Sequence, residues 1–145
     1  MHAVDPNVLV RFIRDDSWQV AAAEAFVGGG AWVSHVVLVK TVWVLSAVYG
    51  LGAATIATAV EMLLNHQHLA IQDADVVATA LVRYRTQPSI TLSDYFVLEI
   101  ARKAGHVPLG TFERQLARLD GAPEAVVRHP SAEGSSRSSA RGNAR

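Results

Sequence analysis

Three carboxylates fall where a parallel sheet would gather them. Asp5 follows the short apolar run "HAV" at residues 2–4, Asp94 opens the amphipathic stretch "SDYFVLEIARKAG", and Glu113 follows "VPLGTF". In open α/β sheets, ligands bind outside the carboxyl ends of the strands. An oxygen-only set of this kind suits Mg²⁺ or Mn²⁺ rather than zinc. Each of the three also reads as a helix cap, and the residues alone leave both readings open. Ser34 and His35 follow the second apolar run, Thr111 the fourth. Lys40 lies inside "SHVVLVKTVWVL", which is otherwise almost wholly apolar. Read as a helix, this stretch places Val36, Val37, Trp43 and Val44 on its buried faces with Lys40 among them. A lysine is rarely buried unless it is paired, so this one needs a partner.

Other constellations carry less. His66 and His68 in "NHQHL" sit in a polar connection without an acidic partner and read as a surface loop. Ser34 and His35 lack the nucleophile-elbow pattern of a hydrolase triad. Trp18, Trp32 and Trp43 read as core, and Arg11 and Arg14 as a solvated helix face.

The elements that would position these residues alternate. Asp5-Pro6 is an N-cap followed by proline in the first turn. Helix formers after Ser17 run to the glycines at 28–30. "AWVS" is a short strand, and the stretch around Lys40 a helix ending near Tyr49-Gly50. "GAATIATAVEMLLNHQ" is amphipathic, "LAI" a strand, and "DADVVATALVRYRTQ" a helix capped by Asp73 or Asp75. The Asp94 helix stops at Gly105. "VPLG" is a strand, "TFERQLARL" a helix, and residues 125–127 a last short strand. Short strands alternating with helices predict an α/β fold with a mainly parallel sheet of four or five strands.

The chain has 145 residues, 50% of them hydrophobic and 18% charged, with zero formal net charge. That is enough for one domain with a core, and it does not mark a basic nucleic-acid binder. The absence of cysteine rules out disulfides and thiolate metal sites. The opening residues "MHAVDPNVLV" lack the basic and apolar segments of a signal peptide, and the longest apolar run is too short for a membrane span. The expectation is a cytoplasmic protein. A domain over residues 1–128 is expected, followed by a disordered Ser/Gly/Arg-rich tail over 129–145.

Four segments, in order, resemble the signatures of PIN-domain nucleases: "AVDPNVLVRF", "VSHVVLVKTVWVLSAVYG", "SDYFVLEIARKAG" and "LGTFERQLARLDGA". The nearest resemblance is to VapC-type toxins of bacterial toxin–antitoxin pairs, over about residues 2–127. The resemblance implies a three-layer sandwich, a parallel sheet flanked by helices, with an acidic cluster holding Mg²⁺ or Mn²⁺. It implies metal-dependent hydrolysis of RNA phosphodiester bonds, a cognate antitoxin protein as partner, and a homodimer. It assigns Asp5, Asp94 and Glu113 as metal ligands, these three with Lys40 as the catalytic positions, and Asn7, Ser34 and Thr111 as their support.

The sequence departs from the family at several of these positions. Glu113 stands where aspartate is usual, Pro6 replaces a threonine, and Thr91 occupies a position often taken by a further aspartate. The second acidic position, normally glutamate, falls on Lys40. A lysine about 4 Å from a dication is repelled by about 8 kcal/mol at an effective dielectric near 20, before relaxation. The simplest expectation is that the Lys40 ammonium takes the place of a metal and pairs with Asp5 and Asp94. The implied function is therefore a ribonuclease impaired at Lys40. The alternative is a catalytically degenerate PIN domain that binds antitoxin or RNA.

Overall fold

A computed structural model of the chain describes residues 1–14, 17–119 and 123–125. Two compact units divide it, Met1–His106 and Val107–Arg145. The expected tail, and the boundary at residue 128, lie outside the described residues.

The first unit runs β1 (His2–Ala3), α1 (Pro6–Ile13), α2 (Ser17–Gly28), β2 (Ala31–Val33), α3 (His35–Ala47), α4 (Ala53–Asn65), β3 (Leu69–Ile71), α5 (Ala74–Thr86) and α6 (Leu92–Lys103). Two helices separate β1 from β2 and two more separate β2 from β3, which is the length of connection that parallel pairing needs. The sheet order is β1-β2-β3, parallel throughout, with His2 opposite Ala31 and Ala31 opposite Leu69. The second unit holds β4 (Leu109–Thr111), α7 (Arg114–Ala117) and β5 (Pro123–Ala125), with β4 and β5 paired in parallel. The α/β architecture expected from the sequence is present: among the described residues there are five short strands, every pairing parallel, three in one sheet and two in the other. The last strand lies two residues earlier than the apolar run suggested.

Helix ends follow local chemistry. Asp5 caps α1 with Pro6 in its first turn. Gly105, at φ +80°, lies just past the end of α6, where a left-handed residue lets the chain turn away. Gly50, at φ +63°, does the same beyond α3, and its N–H donates to Ser46 O at 3.1 Å.

The core of the first unit is built from Leu9, Leu38, Leu45, Val60, Leu63, Val77, Tyr95 and Leu98, all essentially without solvent exposure. Along α3 the buried stripe is Leu38, Thr41, Val42 and Leu45, the i, i+3, i+4, i+7 pattern of one helix face. That corrects two expectations. Val36 and Trp43 face out, 76% and 60% exposed, and Lys40 is exposed on the same side. Nearly every position of this helix is apolar, so hydropathy alone could not select the inward face. All three tryptophans are also exposed rather than core. The one polar residue on the buried stripe, Thr41, satisfies its hydroxyl by donating to Val37 O at 2.7 Å.

Candidate functional site

Asp5 stands at the C-terminal edge of the sheet. Val4 N–H donates to Trp32 O at 3.1 Å, which carries the β1–β2 ladder to the residue before it. Its Oδ1 accepts from the Asn7 N–H at 2.9 Å, a short cap held by the proline-started turn. The other carboxylate oxygen has no hydrogen bond among the described residues. Asn7 thus orients Asp5 through its backbone.

Asp94 lies in the first turn of α6, but Thr91 is the cap: its Oγ1 accepts from the Asp94 N–H at 3.2 Å. The Asp94 carboxylate is half-buried and favoured by the helix dipole. In the second unit, Glu113 caps α7, with Oε1 accepting from Gln115 N–H at 3.1 Å. Glu113 N–H in turn donates to Thr111 Oγ1 at 3.0 Å. Asp5 and Glu113 therefore each act as helix caps, the structural role their sequence positions also allowed.

Lys40 makes no ion pair among the described residues, so the expected pairing with Asp5 and Asp94 is not formed. An ammonium bridging two carboxylates exists elsewhere. Lys103, the last residue of α6, donates to Asp73 Oδ1 at 3.0 Å and to Asp75 Oδ1 at 2.9 Å. Hydrogen bonding to Asp75 and then Asp73 raises the Lys103 pKa, and the Lys103 bond lowers that of Asp75. Asp73 immediately precedes α5 in a left-handed conformation, φ 44°, and its side chain caps nothing. Its Oδ2 lies 3.6 Å from His35 Nε2, a buried nitrogen without a hydrogen-bond partner; that separation is too long for a bond. Around it, α3 begins with two satisfied donors: Ser34 Oγ accepts from Val37 N–H at 3.1 Å, and Gln72 Oε1 from His35 N–H at 3.0 Å.

The pairs Arg83 with Glu99, Tyr95 with Gln87 and Lys103 with Asp75 show that α5 and α6 run antiparallel. Asp94 is nine residues from Lys103, about 13 Å along the helix axis. Among the described residues, no three His, Asp or Glu side chains stand close enough together to hold a metal ion. No helix there is long and apolar enough to cross a membrane.

The PIN domain family matches residues 3–122. The chain belongs to the PIN-domain family. Curated proteins give no match.

PIN domains are nucleases, hydrolases that act on RNA or DNA and generally depend on divalent metal ions. Among the described residues of the first unit of this PIN domain, the donors do not fit such an ion. Asp5 and Asp94 are two carboxylates, the first already capping a helix, and fall short of an oxygen cage.

Reading for polar residues after each strand should also have found Asp73, which follows β3 in "LAIQDAD". Its partner Lys103 is 30 residues away, and no local pattern announces it. The exposure of Trp18 was missed because a tryptophan in an alanine-rich helix reads as core. His66 and His68 behave as expected of a surface turn, with His66 Nδ1 accepting from the His68 N–H at 3.1 Å.

Proposed function

We propose that this PIN domain is a cytoplasmic ribonuclease of the toxin type, hydrolysing RNA phosphodiester bonds slowly and held in check by a cognate antitoxin protein. The observation that carries the reading is the family match over residues 3–122; the place we give Lys40, at a normally acidic position, rests on the resemblance of its segment to the family's second signature. From the resemblance, the residues we propose for the reaction are Asp5 and Asp94 with Asn7 and Ser34 in the first unit, and Glu113 with Thr111 in the second; the two carboxylates of the first unit hold Mg²⁺ or Mn²⁺ only weakly. Lys40 lowers affinity for that ion. The exposed apolar residues Val36 and Trp43 on α3 support a homodimer.

The test pairs isothermal calorimetry of Mn²⁺ binding with cleavage of a mixed RNA substrate. Lys40→Glu is expected to raise ion affinity on the order of tenfold or more, since it exchanges repulsion for attraction, and to raise cleavage with it. Asp5→Asn is expected to abolish cleavage. Tight ion binding by the unaltered protein, with no response to Lys40→Glu, would overturn the role given to Lys40.

A second reading has its own support in the missing three-donor group among the described residues. On that reading the chain is a degenerate PIN domain that binds RNA or antitoxin without hydrolysis. Retained RNA binding with no cleavage by either the unaltered protein or Lys40→Glu, in saturating Mn²⁺, would select it.

A further inference from the structure

A groove of about 510 Å³ runs between α1 and α2, lined by Asn7, Arg11, Trp18, Gln19, Ala22 and Phe26 among others. That is the size of a small-molecule site rather than a packing defect. Trp18, Ala22 and Phe26 are spaced four residues apart along α2 and share one stripe of it. Trp18 is 75% exposed and Phe26 42%, so two aromatic faces stand open to solvent. Across from them, the Arg11 Nε–H donates to Gln19 Oε1, and Nη1 donates to Tyr49 OH at 3.3 Å. A guanidinium has five N–H donors, so most of those on Arg11 remain for a ligand, as does the Gln19 amide nitrogen. Asn7 lines the same groove, and its backbone N–H is bonded to Asp5. One wall of the groove is therefore the residue whose N–H Asp5 accepts.

This lining selects a flat ring with hydrogen-bonding edges and a negative charge nearby. A purely apolar occupant would leave the Arg11 and Gln19 donors unpaired, at a cost that cancels much of its burial. A nucleotide meets every feature: the base stacks on the indole, its carbonyls and ring nitrogens accept from Arg11, Gln19 and Asn7, and the guanidinium offsets phosphate charge. We propose that the α1–α2 groove binds one base of single-stranded RNA, adjacent to the phosphodiester that reaches Asp5. The inference rests on RNA being the ligand of the proposed function, and it deepens that reading by assigning where a base is held.

The test uses the full chain without added divalent ion, so that binding is read apart from cleavage. The probes are a fluorescein-labelled RNA hexamer and a matching sugar–phosphate hexamer lacking bases, followed by polarisation. The unaltered protein is expected to prefer the base-bearing hexamer. Trp18→Ala should weaken that hexamer by about tenfold, the size of one base–aromatic stack, and leave the abasic one unchanged. Trp18→Phe keeps a ring and should recover most of the loss. Because Trp18 is exposed, all variants should keep the far-ultraviolet circular dichroism of the parent. Equal affinity for both probes, or equal loss on both with Trp18→Ala, would overturn the proposal. So would a Trp18→Ala variant whose only change is its sedimenting mass, which would make the groove a protein interface. Base-dependent binding without any cleavage once saturating Mn²⁺ is added would sink the nuclease reading alone. Cleavage with no base dependence would sink the groove alone.

Discussion

Lys103 reaches two carboxylates at once, Asp73 at 3.0 Å and Asp75 at 2.9 Å, and the proton affinities on both sides shift accordingly. Asp75 is lowered from its ordinary 3.8 by the hydrogen bond from Lys103, and Lys103 is raised from 10.5 by its bonds to Asp75 and Asp73. The carboxylate's contribution to stability is complete above pH 3.8 and disappears as pH falls through its lowered folded value. The ammonium's is complete below pH 10.5 and disappears as pH rises through its raised folded value. The urea midpoint of Lys103→Met should therefore sit slightly below the parent's at neutral pH, as fits an exposed pair, and the gap should close toward either extreme. A gap that widens in acid would mean that another group carries it. Lys40 gives the opposite expectation. It is exposed and unpaired among the described residues, so Lys40→Glu in metal-free buffer should change stability by less than about 0.5 kcal/mol. A larger change in urea denaturation would place the side chain in contacts that the structure does not show.

Among the elements, α5 and α6 are joined through a buried carboxylate. Glu99 is 6% exposed and takes Arg83 at 2.7 Å and Arg102 at 3.4 Å, while Arg83 itself is 26% exposed. The two halves of this pair should not cost the same to remove. Arg83→Met strands a buried charge with one weak partner, for an expected loss of about 3–5 kcal/mol. Glu99→Met leaves a guanidinium that can rehydrate, for roughly 1–2 kcal/mol. The double variant should recover most of the larger loss, and a strictly additive double variant in urea denaturation would refute the pairing. None of this was legible in the sequence, because Glu99 and Arg83 lie on separate helices and each reads alone as a solvated charge. The helix starts were legible where chemistry is local: Asp5-Pro6 at α1 and Gly105 beyond α6 stand where their residue types put them. At α6 another capping residue, Thr91, takes the cap three positions before Asp94, a choice made by backbone geometry. At α3 the inward face depended on which stripe meets α1 and α6, and a helix apolar all round does not encode that.

At the scale of the molecule, what remains unpartnered is the outward stripe of α3, where Val36 and Trp43 keep apolar surface in water. If the proposed homodimer uses this stripe, sedimentation equilibrium at micromolar concentration should give twice the chain mass, and Trp43→Arg should return it to one. An unaltered protein that sediments as a monomer would remove the dimer from the proposal. The site itself was legible in part. The cap that Asp5 makes on the Asn7 N–H follows from residues two apart in the chain, whereas the placement of Asp94 and Lys40 depends on packing between elements distant in sequence. The antiparallel α5–α6 pair carries a consequence in time. It is fastened by Lys103 at one end, by Arg83 and Glu99 in the middle, and by the Tyr95 hydroxyl on Gln87 O at the other, 2.8 Å away. With all three clasps spanning the same two helices, neither can swing out while the other stays. Their amides should therefore exchange with deuterium at a common rate, as one cooperative opening unit.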